Sequence, residues 1–152
     1  MSEAVIRPMC FDDIDAVTNI ENKSFAVPWS RAAFEAEIID NDLARYLVME
    51  VAGLVVAYAG MWIILDEAHV TNVAVLPEYR SQGLGHKLLE ALVSYAREFR
   101  AVCMTLEVRE SNLPARRLYQ DLGFAVRGRR RQYYTDTQED ALIMWKDNLS
   151  DE

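Results

Sequence analysis

Asn72-Val73-Ala74-Val75-Leu76-Pro77-Glu78-Tyr79-Arg80-Ser81-Gln82-Gly83-Leu84-Gly85-His86-Lys87 is the stretch on which the fold turns. Its first part ends the apolar run Val70 to Leu76, stopped by Pro77, and reads as a buried strand. From Leu84 onward apolar residues recur at Leu88, Leu89, Leu92, Val93 and Ala96, the spacing of one helical face. Gly83 and Gly85 therefore sit at a strand-to-helix turn. Glycine lets the backbone approach a ligand closely, and a helix start offers unpaired N–H groups and the positive end of its dipole. Such a turn suits a pyrophosphate, and Arg80 and Lys87 add positive charge to it.

Two other phosphate patterns fail on this loop. A Walker loop places Lys-Ser/Thr directly after its last glycine, whereas Gly85 is followed by His86. A dinucleotide fingerprint requires a third glycine three residues after Gly85, where Leu88 stands. A glycine-rich turn without any ligand remains the plain alternative.

Working outward, Ala4 to Arg7 reads as a short strand closed by Pro8. Asp12 or Asp13 can cap a helix with Ile14, Val17 and Ile20 on one face. After the loop Phe25-Ala26-Val27-Pro28-Trp29, Ser30 caps a second helix whose stripe is Phe34, Ile38 and Ile39. The runs Tyr46 to Val51 and Val55 to Leu65 are strands turning at Gly53. Beyond the central turn come a strand from Val102 to Val108 and a helix opened by Pro114 and ended by Gly123. Phe124 to Val126 and Ala141 to Trp145 then flank a polar stretch as a closing pair of strands. The order predicts a single α/β (α+β) domain over residues 1–152, a mixed sheet of about six or seven strands flanked by about four helices.

Bulk properties narrow the function. A chain of 152 residues, 51% apolar and 26% charged, suits one globular domain. A net charge of −8 argues against direct nucleic-acid binding and fits a cationic partner such as an amine, although acid also simply aids solubility. Two histidines and two cysteines lack the spacing of a zinc site, so no metal is expected. No apolar run approaches the roughly 20 residues of a membrane span. With Ser2 and Glu3 at the start and no signal-peptide pattern, the expected compartment is the cytoplasm.

The loop and its surroundings resemble motif A of the GNAT acetyltransferase superfamily: Arg80-x-x-Gly83-x-Gly85 after the strand Asn72 to Val75 and Pro77-Glu78-Tyr79. Leu106-Glu107-Val108-Arg109, Asn112, Ala115, Leu118-Tyr119 and Leu122-Gly123-Phe124 resemble motif B. Further matches are Pro28-Trp29-Ser30, Leu65-Asp66-Glu67-Ala68, Arg130, Tyr133-Tyr134 and Glu139-Asp140-Ala141. These are similar to the RimI type, the ribosomal-protein-alanine N-acetyltransferases. The resemblance implies a mostly antiparallel sheet and acetyl-CoA as acetyl donor. It implies cofactor contacts from Val73, Ala74, Val75, Arg80, Ser81, Gln82, Gly83, Leu84, Gly85, His86 and Asn112. The implied acceptor is the N-terminal α-amine of a protein, the alanine of a small-subunit ribosomal protein, gripped by Pro28, Trp29, Glu67, Tyr133 and Tyr134. Broader N-terminal acetylation, a small-molecule amine acceptor and a non-catalytic coenzyme A module are the rivals.

Acyl transfer to an amine needs a base for the ammonium and a donor for the departing thiolate. Glu107, a carboxylate inside an apolar strand, aligns with the general base of the RimI type; pairing with Arg109 or Arg116 is the structural alternative. Tyr119 matches the tyrosine that protonates the thiolate, although an amphipathic core tyrosine is common at this spacing. Asn112 serves equally as a helix cap, and His86 as a solvated helix-start residue. His69 is a reserve base. Cys103 raises a covalent acetyl-cysteine, but nothing adjacent lowers its pKa, so direct transfer is expected.

Overall fold

A computed structural model describes residues 3–149. Its elements are β1 (Ala4–Pro8), α1 (Ile14–Ser24), α2 (Arg31–Ile39), β2 (Ala44–Val51), β3 (Leu54–Ile64), β4 (Glu67–Val75), α3 (Leu84–Glu98), β5 (Cys103–Arg109), α4 (Leu113–Asp121), β6 (Ala125–Tyr134) and β7 (Glu139–Lys146). The seven strands form one mixed sheet in the order β1-β2-β3-β4-β5-β7-β6. The β1/β2, β2/β3, β5/β7 and β6/β7 ladders are antiparallel, and β4/β5 is parallel. No described helix is long and apolar enough to cross a membrane.

Two compact units divide the chain. One comprises the residues up to Trp62 with Thr71–Leu92, the other Ile63–Val70 with the residues from Val93 onward. In the first unit Ile14, Val17 and Ile20 of α1 are fully buried, as their spacing predicts. The Ser30 hydroxyl accepts from Ala33 N–H at 3.1 Å and starts α2. Phe34 is fully buried between rings, 5.5 Å from Trp29 and 5.7 Å edge-on to Tyr58. On β3, Gly60 lies opposite Tyr46. A Cβ there would come within 2.1 Å of the Tyr46 ring, so the glycine makes room for a buried aromatic.

Two helix expectations are corrected in this unit. Neither Asp12 nor Asp13 caps α1 with its side chain, because a 3-10 turn, Phe11–Asp13, precedes the helix. The Asp13 carboxylate instead accepts both Arg7 guanidinium nitrogens, at 2.7 and 2.9 Å, and Cys10 N–H at 2.9 Å. A bidentate charged pair outweighs one cap bond. In α2 the inward position is held by Glu37, not Ile39, which is 62% exposed. The Trp62 indole N–H needs an acceptor, and Glu37 supplies both carboxylate oxygens at 3.2 and 3.0 Å.

The Arg7 hydrogen bonds hold the Asp13 carboxyl down at about 2, against an ordinary 3.8. A depressed carboxyl contributes stability that is present above its unfolded pKa and is lost as pH falls through the folded one. Asp13→Asn should therefore cost about 2 kcal/mol near neutral pH. Urea unfolding checks this: the gap between variant and wild type should close as pH drops from about 4 to about 2.

In the second unit, β5 is the central strand, with Met104, Leu106 and Val108 buried. It pairs with β4 through Glu67–Cys103, Ala68–Met104 and His69–Thr105, and with β7 from Met104–Lys146 to Arg109–Ala141. The strand β4 starts at Glu67, three residues earlier than its apolar run, so Glu67 and His69 are strand residues. Leu149, fully buried, returns to β5's start by donating its N–H to the Val102 carbonyl at 3.0 Å.

The polar stretch expected between the closing strands is itself strand. Arg127 to Arg131 lie within β6, at the edge of the sheet. Three of these arginines meet carboxylates: Arg127 with Asp147, Arg129 with Glu110 and Asp140, and Arg130 with Glu107. Charge on an edge strand keeps it from pairing with another chain, which explains why this strand lacks the usual apolar alternation.

Candidate functional site

The first unit carries the glycine loop. Gly83 has φ 79 and Ser81 φ 63, so the chain passes twice through the left-handed region before α3 begins. A Cβ on Gly83 would meet nothing within 4 Å, so the requirement for glycine there is conformational. The first helical bond runs from Lys87 N–H to Gly83 C=O at 3.2 Å. The amides of Leu84, Gly85 and His86 thus precede it with no partner inside the helix. These amides fit a pyrophosphate held at a helix start.

Side chains around the loop do less than their charges suggest. Arg80 donates Nε–H to the Val75 carbonyl at 2.8 Å and Nη2–H to the Ser24 hydroxyl at 3.2 Å, and so ties the loop to the end of β4 and to α1. Gln82 donates to the Glu78 carbonyl at 3.2 Å. The His86 ring meets Glu90 one turn on, at 3.0 Å. Val73 and Val75 are half-buried and Ala74 is buried, as their alternation on β4 requires.

Pro28 and Trp29 occupy the loop between α1 and α2, Pro28 exposed and Trp29 half-buried. Sequence reasoning missed what holds them. Glu21, 2% exposed, accepts Trp29 N–H on Oε2 at 2.9 Å and the Tyr58 hydroxyl on Oε1. Its place seven residues after Ile14 was the available signal, since that spacing returns to the same helical face.

The second unit collects the remaining residues. Glu107 of β5 lies 3.5 Å from Arg130 Nε through Oε1, while its buried Oε2 has no hydrogen-bond partner among the described residues. Neither Arg109 nor Arg116 takes it: Arg109 pairs with Asp136 and Glu139, and Arg116 donates to the Glu110 carbonyl. Burial, and then the nearby Glu107 charge, push the Tyr133 phenol up. Tyr134 is pushed up to about 12 by burial and then by Glu107, against the opposing Arg109. The two rings meet edge-on at 5.2 Å, and the Arg109 guanidinium stacks 4.1 Å over Tyr134. A bulge between Arg130 and Tyr134 turns this end of β6, and Asp140 holds it by accepting Gln132 N–H at 2.9 Å.

Tyr119 is buried on α4, its ring 5.9 Å from Phe124, and burial followed by the Tyr134 phenol pushes its pKa up to about 12. Asn112 caps α4 by accepting Ala115 N–H at 3.2 Å, so its side-chain carbonyl is engaged within the chain. His69 and Glu67 meet at 3.0 Å on β4. Burial, then Glu67 and Asp66, push the Cys103 thiol up, away from the thiolate that a covalent intermediate needs. Within this unit the Glu107 charge acts on the Tyr133 and Tyr134 phenols, and the Tyr134 phenol acts on Tyr119.

The sequence model of the Acetyltransferase (GNAT) family matches residues 14–124, a span that runs through both units. The chain belongs to the GNAT acetyltransferase family. It is an acetyl-CoA-dependent N-acetyltransferase, and the GNAT fold is the mixed, mostly antiparallel sheet with four helices described above. Among curated GNAT relatives, the chain is 41% identical over 136 residues to the Escherichia coli (strain K12) ribosomal protein bS18-alanine N-acetyltransferase, covering 87% of this chain and 89% of that one. It is 46% identical over 144 residues to a Bacillus subtilis (strain 168) protein that bears the same name provisionally, with 95% of each chain covered. The crystal structure of the E. coli ribosomal-protein-S18-alanine N-acetyltransferase superposes with a TM-score of 0.89 at 36% identity, over 96% of this chain and 94% of that one.

Proposed function

We propose that this acetyltransferase moves the acetyl group of acetyl-CoA to the N-terminal α-amine of a protein, the alanine of a small-subunit ribosomal protein, in the cytoplasm. Residues 1–152 act as one catalytic domain. The observation that carries the reading is Glu107: a carboxylate with one buried oxygen left without a partner, beside Tyr133 and Tyr134. A buried acceptor atom without a bond is costly and is kept where chemistry uses it. Relatives that match nearly the whole chain carry this activity in their names.

The roles divide accordingly. Val73, Ala74 and Val75 pair with the pantetheine arm, the loop Arg80, Ser81, Gln82, Gly83, Leu84, Gly85 and His86 holds the pyrophosphate, and Asn112 hydrogen-bonds the arm. Pro28, Trp29, Glu67, Tyr133 and Tyr134 grip the acceptor peptide. Glu107 takes the ammonium proton, directly or through a water. The freed amine attacks the thioester carbonyl; the C–N bond forms, the C–S bond breaks, the nitrogen's second proton passes to solvent, and Tyr119 meets the departing thiolate with its O–H. No acetyl-enzyme is needed, in keeping with the raised Cys103 thiol.

Thiol release from acetyl-CoA tests the acceptor. An alanine-starting ribosomal-protein peptide should be turned over, while spermidine and an aminoglycoside should not. The reverse pattern would place this enzyme among small-amine acetyltransferases.

A further inference from the structure

Glu21 is a buried carboxylate that the chemistry does not consume. It stands in the last turn of α1, 2% exposed, and both oxygens are engaged: Oε2 by Trp29 N–H at 2.9 Å, Oε1 by the Tyr58 hydroxyl. Tyr58 belongs to β3 and is itself fully buried, its phenol pushed up by burial and by the bond to Glu21. Glu21 therefore joins a rigid strand to a backbone amide of an exposed loop. Phe25, Val27 and Pro28 of that loop are exposed, with Val27 at 77%, so little burial of their own fixes its course. The Trp29 ring rests on Phe34, but a ring contact leaves the backbone free to tilt.

Three residues along the same turn, Ser24 makes a separate connection. Its hydroxyl donates to the Ile20 carbonyl at 2.7 Å and accepts from Arg80 of the glycine loop at 3.2 Å. One helical turn thus reaches the loop before α2 through Glu21 and the phosphate loop through Ser24.

We propose that Glu21 is a positioning residue for the acceptor: it holds the Trp29 backbone, and with it the Pro28-Trp29 segment, in the course that receives the peptide. The proposal rests on the reading of that segment as acceptor-binding. Glu21 touches no reacting atom, so its loss acts on acceptor KM.

The test uses the full-length enzyme with acetyl-CoA and an alanine-starting ribosomal-protein peptide. Glu21→Asp keeps the charge but withdraws the carboxylate by one methylene; it should raise peptide KM about 5-fold and leave acetyl-CoA KM unchanged. Glu21→Gln should restore peptide KM, because its amide oxygen can accept Trp29 N–H while its NH2 group donates to the Tyr58 oxygen. Ser24→Ala, on the same turn, should move acetyl-CoA KM and not peptide KM; a helix merely loosened would move both in either variant. KM does not depend on how much of the protein is folded, so partial unfolding does not mask the result. Trp29→Ala separates the two layers of the argument. A raised peptide KM in Trp29→Ala with none in Glu21→Asp overturns the role of Glu21. Unchanged values in both overturn the acceptor role of the loop, and the proposal with it.

Discussion

Glu107→Gln should lower kcat at neutral pH about 100-fold while leaving acetyl-CoA KM near its wild-type value. The amide nearly preserves shape but cannot take a proton. A peptide α-ammonium loses its own proton at roughly 7.7–8, so the variant should recover part of its rate as pH rises past that range. Recovery with pH separates a lost base from a damaged site, because damage would persist at every pH. Arg130, 3.5 Å away, makes the same argument from the other side. That contact engages Oε1 alone and leaves Oε2 buried with no hydrogen-bond partner among the described residues. Equal kcat in variant and wild type across the pH range would remove Glu107 from the reaction.

Tyr119→Phe is the second large effect, a fall in kcat of about 30-fold that is constant from mildly acidic to mildly alkaline pH. Burial pushes the Tyr119 phenol up to about 12, so it keeps its proton throughout that range. An ordinary thiol titrates near 8.5, well below it, and a phenol this weakly acidic gives the departing sulfur a hydrogen bond more readily than a whole proton. The flat pH dependence follows from this. A raised folded pKa also contributes stability that is complete below the unfolded value near 10 and is lost as pH rises through about 12. The Phe variant should therefore lose less stability than wild type over that alkaline window, as alkaline unfolding followed by circular dichroism would show. Full turnover in Tyr119→Phe would leave the tyrosine as a packing residue only.

Local chemistry made part of this legible in the sequence. The strand, the glycine turn and the helical stripe after Leu84 each follow from rules a few residues long, and Ser30 and Asn112 cap the helices they precede. What stayed hidden depends on partners that no local pattern names, near or far in the chain. Nothing within Glu139–Lys146 says that β7 lies between β5 and β6, because both of its neighbours are set by the fold. Asp12 or Asp13 reads as a helix cap, but Asp13 pairs with Arg7, since a guanidinium binds a carboxylate better than a helix amide does. Glu21 and Glu37 are buried because Tyr58 and Trp62 of β3 bring polar atoms that need acceptors. The arginines of β6 hid a strand behind charge. In the site, the glycine loop could be read directly, whereas the pairing of Glu107 with Arg130, and not with Arg109, required the β5-β7-β6 arrangement.

The measurement closest to the central claim is the position of the acetyl group after reaction. The purified enzyme is incubated with acetyl-CoA and an alanine-starting ribosomal-protein peptide that also contains lysine, and the products are fragmented in a mass spectrometer. Acetate is expected on the α-nitrogen of the first alanine, with the enzyme itself unmodified. Acetate on a lysine side chain, or retained on Cys103, would contradict it.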